Sequence, residues 1–216
     1  MRKVPKSRID DSGVQILLEN IPRPRKVFWA MWKKPMTRYI LITSFLTKLS
    51  FMALNMYWPL MGARAGLLEE DSGLLASGML TATLIGSLMF NKGIVFSSSI
   101  KGIGVIGLVL GIPLLFTGIL SPVVFVGALL LHEVARGAYY PVFKTFLNTY
   151  TQHETRSTAN SIVNAARMYG GLIGLLLSGL LALKGGPNSL ALTWVLSGVV
   201  LTVIGGYALL IRNNAK

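Results

Sequence analysis

The sequence contains no cysteine, and Asp, Glu, Lys and Arg together make up only 13% of its 216 residues. The absence of thiols excludes disulfides, thiolate metal sites and a cysteine nucleophile. A domain that folds in water carries roughly a quarter of its residues as charged side chains. Hydrophobic residues here reach 52%, and the mean hydropathy is +0.59. The long stretches without charge therefore indicate surfaces that face lipid rather than water.

Acidic residues are also scarce, with 8 Asp and Glu against 21 Lys and Arg, which gives a formal net charge of +13. A strongly basic chain can bind nucleic acid, but no nucleic-acid-binding motif accompanies these cations. Ten of the 21 lie between Arg2 and Arg38, and most of the others lie between apolar runs. Membrane proteins retain Lys and Arg on the cytoplasmic side in this way. The pattern predicts a lipid bilayer partner and no nucleic-acid partner.

Six apolar runs are each long enough to cross a bilayer, which takes about 20 residues in a helix. Backbone polar groups must be satisfied internally in lipid, and the runs are too long for barrel strands, so the predicted fold class is an all-α membrane protein. The predicted spans are Tyr39–Gly62, Gly73–Phe90, Gly102–Leu120, Pro122–Thr145, Ala159–Leu183 and Leu190–Ile211.

The charges between the spans predict the orientation. Only Arg64 and Lys184, with the acidic Glu69–Asp71, fall in one set of loops. The other set holds the basic segment from Arg2 to Arg38, followed by Lys92, Lys101, Lys144, Arg156, Arg212 and Lys216. Because cytoplasmic loops are rich in Lys and Arg, we expect a multi-pass protein of the cell membrane with both termini in the cytoplasm.

The predicted spans divide the chain into three parts. Residues 1–37 form a basic cytoplasmic leader, in which Phe28–Trp32 is predicted to lie at the inner membrane interface because aromatics among basic residues favour the headgroup region. Residues 38–212 form the six-helix transmembrane domain, and residues 213–216 form a cytoplasmic tail. Within the spans, glycines four residues apart, as in Gly107 and Gly111, predict close helix packing.

Several ionisable residues fall inside the predicted spans. A charge at the bilayer centre costs at least about 2.5–3.5 kcal/mol, so it is expected to face protein or water and to have a partner or a role. Glu133 and Arg136 lie three residues apart and can pair on one helix face. Whether that pair is structural or functional stays open at this point. The predicted substrate or ion pathway consists of Lys48, Asn55, His132, Glu133, Arg136, Tyr140, Asn164 and Arg167.

Prolines mark two of the same spans. Pro59 follows Trp58, and Pro141 follows Tyr140 four residues after Gly137. Proline removes a helix hydrogen bond and bends the helix, so Pro59, Gly137 and Pro141 are predicted hinges. Both aromatic–proline pairs lie about 20 residues into their spans, the first and the fourth, which hints at two three-helix repeats.

Two stretches carry a family resemblance. They are His132-Glu133-Val134-Ala135-Arg136-Gly137, continuing to Pro141 and Asn148, and Arg156-Ser157-Thr158-Ala159-Asn160-Ser161, followed by Gly170-Gly171-x-x-Gly174. Together they resemble the tenth and eleventh helices of major facilitator superfamily transporters. Arg-Ser-Thr-Ala departs mildly from the family's Arg-Ala-Thr-like motif, and Asn91 stands where the family's loop signature has Asp.

The resemblance implies the C-terminal half of such a transporter, built as two three-helix inverted repeats, with residues 1–37 resembling the linker between halves. It also implies a second six-helix half, from a separate chain or a second copy, and a small-molecule substrate held between the halves. The spans carry Lys48, Arg136 and Arg167 against Glu133 alone. Either the missing half brings carboxylates or the substrate is anionic.

The predicted function is transport of a small solute by alternating access, with Glu133 or His132 as the proton carrier if transport is coupled to protons. The alternative is a non-transporting membrane protein, either a truncated remnant or an assembly partner of another subunit. An enzyme is disfavoured because only His153 and Glu154 approach a catalytic grouping at the membrane face. We predict no cofactor and no metal site.

Overall fold

The computed structural model describes residues 23–91, 100–118 and 121–210, and 92% of these described residues are helical. The leader up to residue 22 and the predicted tail 213–216 lie outside the described residues. Within the described ranges there are helices and no strands. The helices are α1 (Pro24–Lys33), α2 (Pro35–Arg64), α3 (Asp71–Asn91), α4 (Ile100–Leu115), α5 (Pro122–Tyr150) and α6 (Arg156–Leu210), with a 3-10 turn at His153–Thr155.

The helix starts follow from local chemistry. α1, α2 and α5 each begin at a proline, namely Pro24, Pro35 and Pro122. Proline suits this position because its fixed φ is already helical and its missing N–H would have no partner in the helix. α3 begins at Asp71, whose Oδ2 accepts a hydrogen bond from the Leu68 N–H at 3.2 Å. A carboxylate there also complements the positive end of the helix dipole.

The 55 residues of α6 turn back on themselves. The Ser189 hydroxyl donates to the Leu181 carbonyl at 2.7 Å, although these residues are eight apart in sequence. In a straight helix eight residues rise about 12 Å. The axis therefore reverses at the predicted break after Lys184, and α6 consists of a first arm (residues 156–185) and a second arm (residues 188–210).

Within the described ranges, five helical segments are long and apolar enough to cross a membrane: Pro35–Arg64, Asp71–Met89, Pro122–Tyr150, His153–Gly185 and Asn188–Leu210. This result confirms the all-helical prediction and indicates a membrane protein. The remaining predicted span, Gly102–Leu120, corresponds to the apolar helix α4 of 16 residues, and its last two residues lie outside the described ranges. The helices also extend beyond the apolar runs, because α2 starts four residues before Tyr39 and α5 continues five residues past Thr145.

The helices pack in pairs at glycines, which confirms the predicted packing role of the small residues. Gly174 on the first arm of α6 faces the Leu49 carbonyl of α2, and Gly137 on α5 faces the Thr83 carbonyl of α3. α4 meets the second arm of α6 in the same manner at Gly111. A Cβ at any of these positions would overlap backbone atoms. Van der Waals contact of this kind drives helix association where lipid gives no hydrophobic drive between helices.

The bundle has two ends. α1 lies at the end where α2 and the first arm of α6 begin, which we call the α1 end. Val27 and Met31 of α1 are buried, whereas its Trp29 is 50% exposed. The opposite end holds Arg64, whose guanidinium donates to the Asn188 side chain at 2.8 Å. The outer surfaces of α3 and α6 expose many large apolar side chains, as expected for helices that face lipid.

We predict that Gly137→Ala lowers the free energy of unfolding by about 1–3 kcal/mol, since the new methyl group forces α5 away from the Thr83 backbone. Gly127→Ala on the same helix is the matched control, because nothing lies within 4 Å of its added Cβ. The control is expected to be neutral or to stabilise by about 0.5–1 kcal/mol, because alanine is a better helix former than glycine. Thermal unfolding in detergent measures both, and equal midpoints would contradict the packing role of Gly137.

Candidate functional site

Three cations lie near the midpoints of three long helices. Lys48 is the fourteenth of 30 residues in α2, Arg136 is the fifteenth of 29 in α5, and Arg167 is the fifteenth of 33 in His153–Gly185. Arg136 and Arg167 both lie within electrostatic range of Lys48. We call these three residues the cationic cluster. The fold thus brings together charges that are up to 119 positions apart in sequence.

Arg136 is held by bonds to two helices. Its guanidinium forms an ion pair with Glu133 at 2.7 Å and donates to the Asn55 side-chain oxygen of α2 at 2.6 Å. Glu133 is only 2% exposed and also accepts a hydrogen bond from the Thr83 hydroxyl of α3 at 2.8 Å. The predicted Glu133–Arg136 pair is therefore confirmed, and its bonds connect α5 to both α2 and α3.

Arg167 lies over the ring of Tyr140, with its Cζ 4.5 Å from the ring centroid. A guanidinium over an aromatic face is attracted by the ring quadrupole, and this cation–π contact joins the first arm of α6 to α5. Among the described residues the Arg167 guanidinium has no hydrogen bond or ion pair. Its N–H groups therefore stay available for other partners.

Lys48 projects from α2 toward the first arm of α6. Its Cγ lies 3.3 Å from the position that a Cβ of residue 171 would occupy, so Gly171 leaves room for the lysine chain. Lys48 and Arg167 line one small cavity together with Tyr139 and Phe143. Within the described ranges the Lys48 amine has no hydrogen bond or ion pair, so it is a positive charge without a protein partner.

The cluster lies on an open side of the bundle. Asn55, Tyr140 and Asn164, which the sequence placed on the same pathway, are all exposed. Three cations against the single carboxylate of Glu133 leave two positive charges uncompensated. A charged surface at mid-helix depth cannot face hydrocarbon without a large cost. This side of the bundle must therefore face water or another protein.

His132 is placed apart from the cluster. It is 1% exposed, and its Nδ1 lies 2.8 Å from the Leu110 carbonyl of α4. Its ring forms a T-shaped contact with the ring of Phe51, with 5.5 Å between the centroids. A carbonyl only accepts hydrogen bonds, so Nδ1 carries the hydrogen. The structure thus places His132 in the contact between α4 and α5, whereas the sequence predicted it to line the substrate or ion pathway.

The predicted hinges lie within continuous helices. α2 runs through Pro59 and α5 runs through Pro141, and the Thr145 hydroxyl donates to the Pro141 carbonyl at 2.9 Å. Gly137 lies in the contact with α3, where its lack of a side chain allows the close approach described above. Their role as hinges stays a prediction.

A polar cavity of about 320 Å³ lies between α5 and the first arm of α6. We call it the α5–α6 cavity. Three of the predicted pathway residues, Tyr140, Asn164 and Arg167, line this cavity, and so does Lys144, which was not predicted for the pathway. Lys144 lies four residues after Tyr140, a spacing that places the two side chains on one face of α5. The polar wall of the α5–α6 cavity includes Lys144, Ser157, Asn160, Ser161, Asn164 and Arg167.

Comparisons of this chain with protein-family models, with curated proteins and with solved structures gave no match. Among the described residues, no group of three or more His, Asp or Glu side chains is arranged to hold a metal ion.

We predict that Glu133→Gln lowers the free energy of unfolding by roughly 1.5–3 kcal/mol, because the Arg136 guanidinium loses a charged hydrogen-bond partner while it stays partly buried. The control is Glu154→Gln, since Glu154 is an exposed carboxylate in the 3-10 turn. Thermal unfolding in detergent is the measurement. If Glu133→Gln and Glu154→Gln shift the midpoint equally, the ion pair contributes no specific stability.

Proposed function

We propose that this protein transports a small solute by alternating access, as one half of a transporter of the major facilitator type. The observation that carries the proposal is the cationic cluster, because Lys48, Arg136 and Arg167 gather at mid-helix depth on an open side of the bundle. In transporters built from repeats, the substrate site lies near the bilayer midplane between two halves. An open, charged, mid-depth surface is what one wall of such a site requires.

The pattern of helix contacts supports two three-helix repeats, one of α2, α3 and α4 and one of α5 and the two arms of α6. α2 packs on the first arm of α6, α3 packs on α5, and α4 packs on the second arm. Matching α2, α3 and α4 in this order with α5, the first arm and the second arm of α6 converts each of these packed pairs into another packed pair or into itself. Equivalent positions lie 87 residues apart, because Pro35 and Pro122 begin α2 and α5, and Gly111 and Gly198 face each other between α4 and the second arm.

The distribution of loop charge supports a cytoplasmic location of the α1 end. All the cations of α1 lie there. The C-terminal part of α5, which carries Lys144, and the start of α6, which carries Arg156, lie at the same end. Glu69, Glu70 and Asp71 lie at the opposite end. Positive charge is retained on the cytoplasmic side of membranes. We therefore propose a cell-membrane protein with both termini in the cytoplasm and α1 at the inner interface.

The open face calls for a second six-helix half. Charged side chains at this depth must be covered by water or protein, and six helices supply only one wall of a central pathway. We propose that a separate chain or a second copy of this chain supplies the other wall. If transport is coupled to protons, Glu133 is the better carrier, since its carboxylate contacts the cluster through Arg136 whereas His132 hydrogen-bonds to the Leu110 carbonyl.

We predict that Arg136→Ala reduces solute flux at least tenfold, because it removes a cluster cation that bridges α5 and α2. Flux is measured in membrane vesicles by solid-supported-membrane electrophysiology, with carboxylates, inorganic phosphate, amino acids and sugars offered in turn. Lys101→Ala is the control, because Lys101 is an exposed cation at the start of α4.

The same vesicles are analysed for the size of the assembly by mass photometry after transfer to nanodiscs. A dimer or a complex with a second membrane chain supports the two-half arrangement. If the chain stays monomeric and no solute moves in any variant, the transport proposal fails and the non-transporting alternative replaces it.

A further inference from the structure

The α5–α6 cavity has an unusual balance of charge. Lys144 and Arg167 line it, and among the described residues no carboxylate does. Glu133, the carboxylate next to the cationic cluster, already accepts bonds from Arg136 and Thr83. The two cations of the cavity therefore have no counter-charge from the part of the chain that the structure describes.

Hydrogen-bond donors of the cavity are also free. Within the described residues the Lys144 amine and the Asn164 amide have no hydrogen-bond partner, and the Arg167 guanidinium has a cation–π contact with Tyr140 but no hydrogen bond. Other wall residues are fixed by bonds to the backbone, since Asn160 donates to the Arg156 carbonyl at 2.9 Å and Ser161 donates to the Ser157 carbonyl at 3.2 Å. Part of the wall is thus held in place, while its free donors remain available to a ligand.

We infer that the α5–α6 cavity binds a small oxyanion, of the carboxylate or phosphate class. Two cations and a free amide donor match the two or more oxygens of such a group. The volume of about 320 Å³ lies at the lower end of the range for ligand pockets, which suits a small solute. A dianion would neutralise both cations.

The cavity connects with the cationic cluster. Arg167 lines both the α5–α6 cavity and the small cavity that contains Lys48. An anion bound between Lys144 and Arg167 is therefore close to Lys48, the other uncompensated cation of the cationic cluster. That this anion is the transported substrate rests on the proposed function, whereas the binding site itself rests only on the geometry of the cavity.

The experiment is a calorimetric titration of the full chain in nanodiscs of neutral phosphatidylcholine, which adds no anionic lipid. The probes are sulfate, inorganic phosphate and succinate, with choline chloride as the cation control at matched ionic strength. We expect saturable binding of at least one dianion and none of choline. Lys144→Gln and Arg167→Gln are each expected to weaken that binding about tenfold, because each removes a charged contact.

Arg167→Lys, which keeps the charge, is the second variant at that position and is expected to retain more affinity than Arg167→Gln. Lys101→Gln removes an exposed cation outside the cavity and is expected to bind like the unaltered chain. Retention of binding in Lys144→Gln and Arg167→Gln would overturn the inference. An equal loss in Lys101→Gln would overturn it too, because it would show non-specific screening. Absence of dianion binding in the unaltered chain would also overturn the inference.

The two proposals fail in different ways. Saturable dianion binding without flux of any solute would remove the transport proposal and leave the cavity as an anion site. Flux of a neutral or cationic solute without dianion binding would leave the transport proposal and remove the anion site.

Discussion

The close packing of α2 against the first arm of α6 is the contact on which the arrangement of charges depends. Gly170 and Gly174 face backbone carbonyls of α2, so the two helix axes approach as closely as their backbones allow. Gly171 lies between them and leaves room for the Lys48 side chain. A larger residue at these positions would separate Lys48 from Arg167. The small residues therefore do more than stabilise the bundle, since they also bring two like charges into one cavity.

The polar groups of the spans fall into two environments with different physical demands. His132 and Glu133 are almost fully buried, and each has a hydrogen-bond partner on a neighbouring helix. Lys48, Lys144 and Arg167 have partly or fully exposed side chains and no hydrogen-bond partner in the described ranges. A buried polar group without a partner is costly, and the chain itself supplies the partners of His132 and Glu133. The open side leaves its charges for something outside the chain.

This division links the two proposals. A second half covering the open side would exclude lipid from the cationic cluster, and a small anion in the α5–α6 cavity would neutralise charge that the described residues leave uncompensated. The positive charge of Lys48 can be compensated either by an anionic solute or by carboxylates on a partner surface. The concave wall formed by Ser157, Asn160 and Asn164 suits a small solute better than a flat protein surface. The two sources of negative charge can therefore act at different points of one pathway.

The sequence by itself determined the features that depend on local spacing and on hydropathy. Run length predicted the long helices, glycines four residues apart predicted the packing contacts, and the three-residue spacing of Glu133 and Arg136 predicted their ion pair. These predictions succeed because helix geometry fixes which near neighbours share a face. The ends of α2 and α5 were less predictable, since helices continue past the apolar run when polar residues remain bonded within the helix.

Only the tertiary structure decided which faces meet. It placed His132 against Leu110 rather than on the open side, and it brought Lys144 together with Arg167 from another helix. Helical periodicity gives the angle of a side chain about its own axis, but it contains no information on which neighbour lies in that direction. That choice depends on contacts between residues far apart in sequence, such as those of Gly137 with Thr83 and of Gly174 with Leu49.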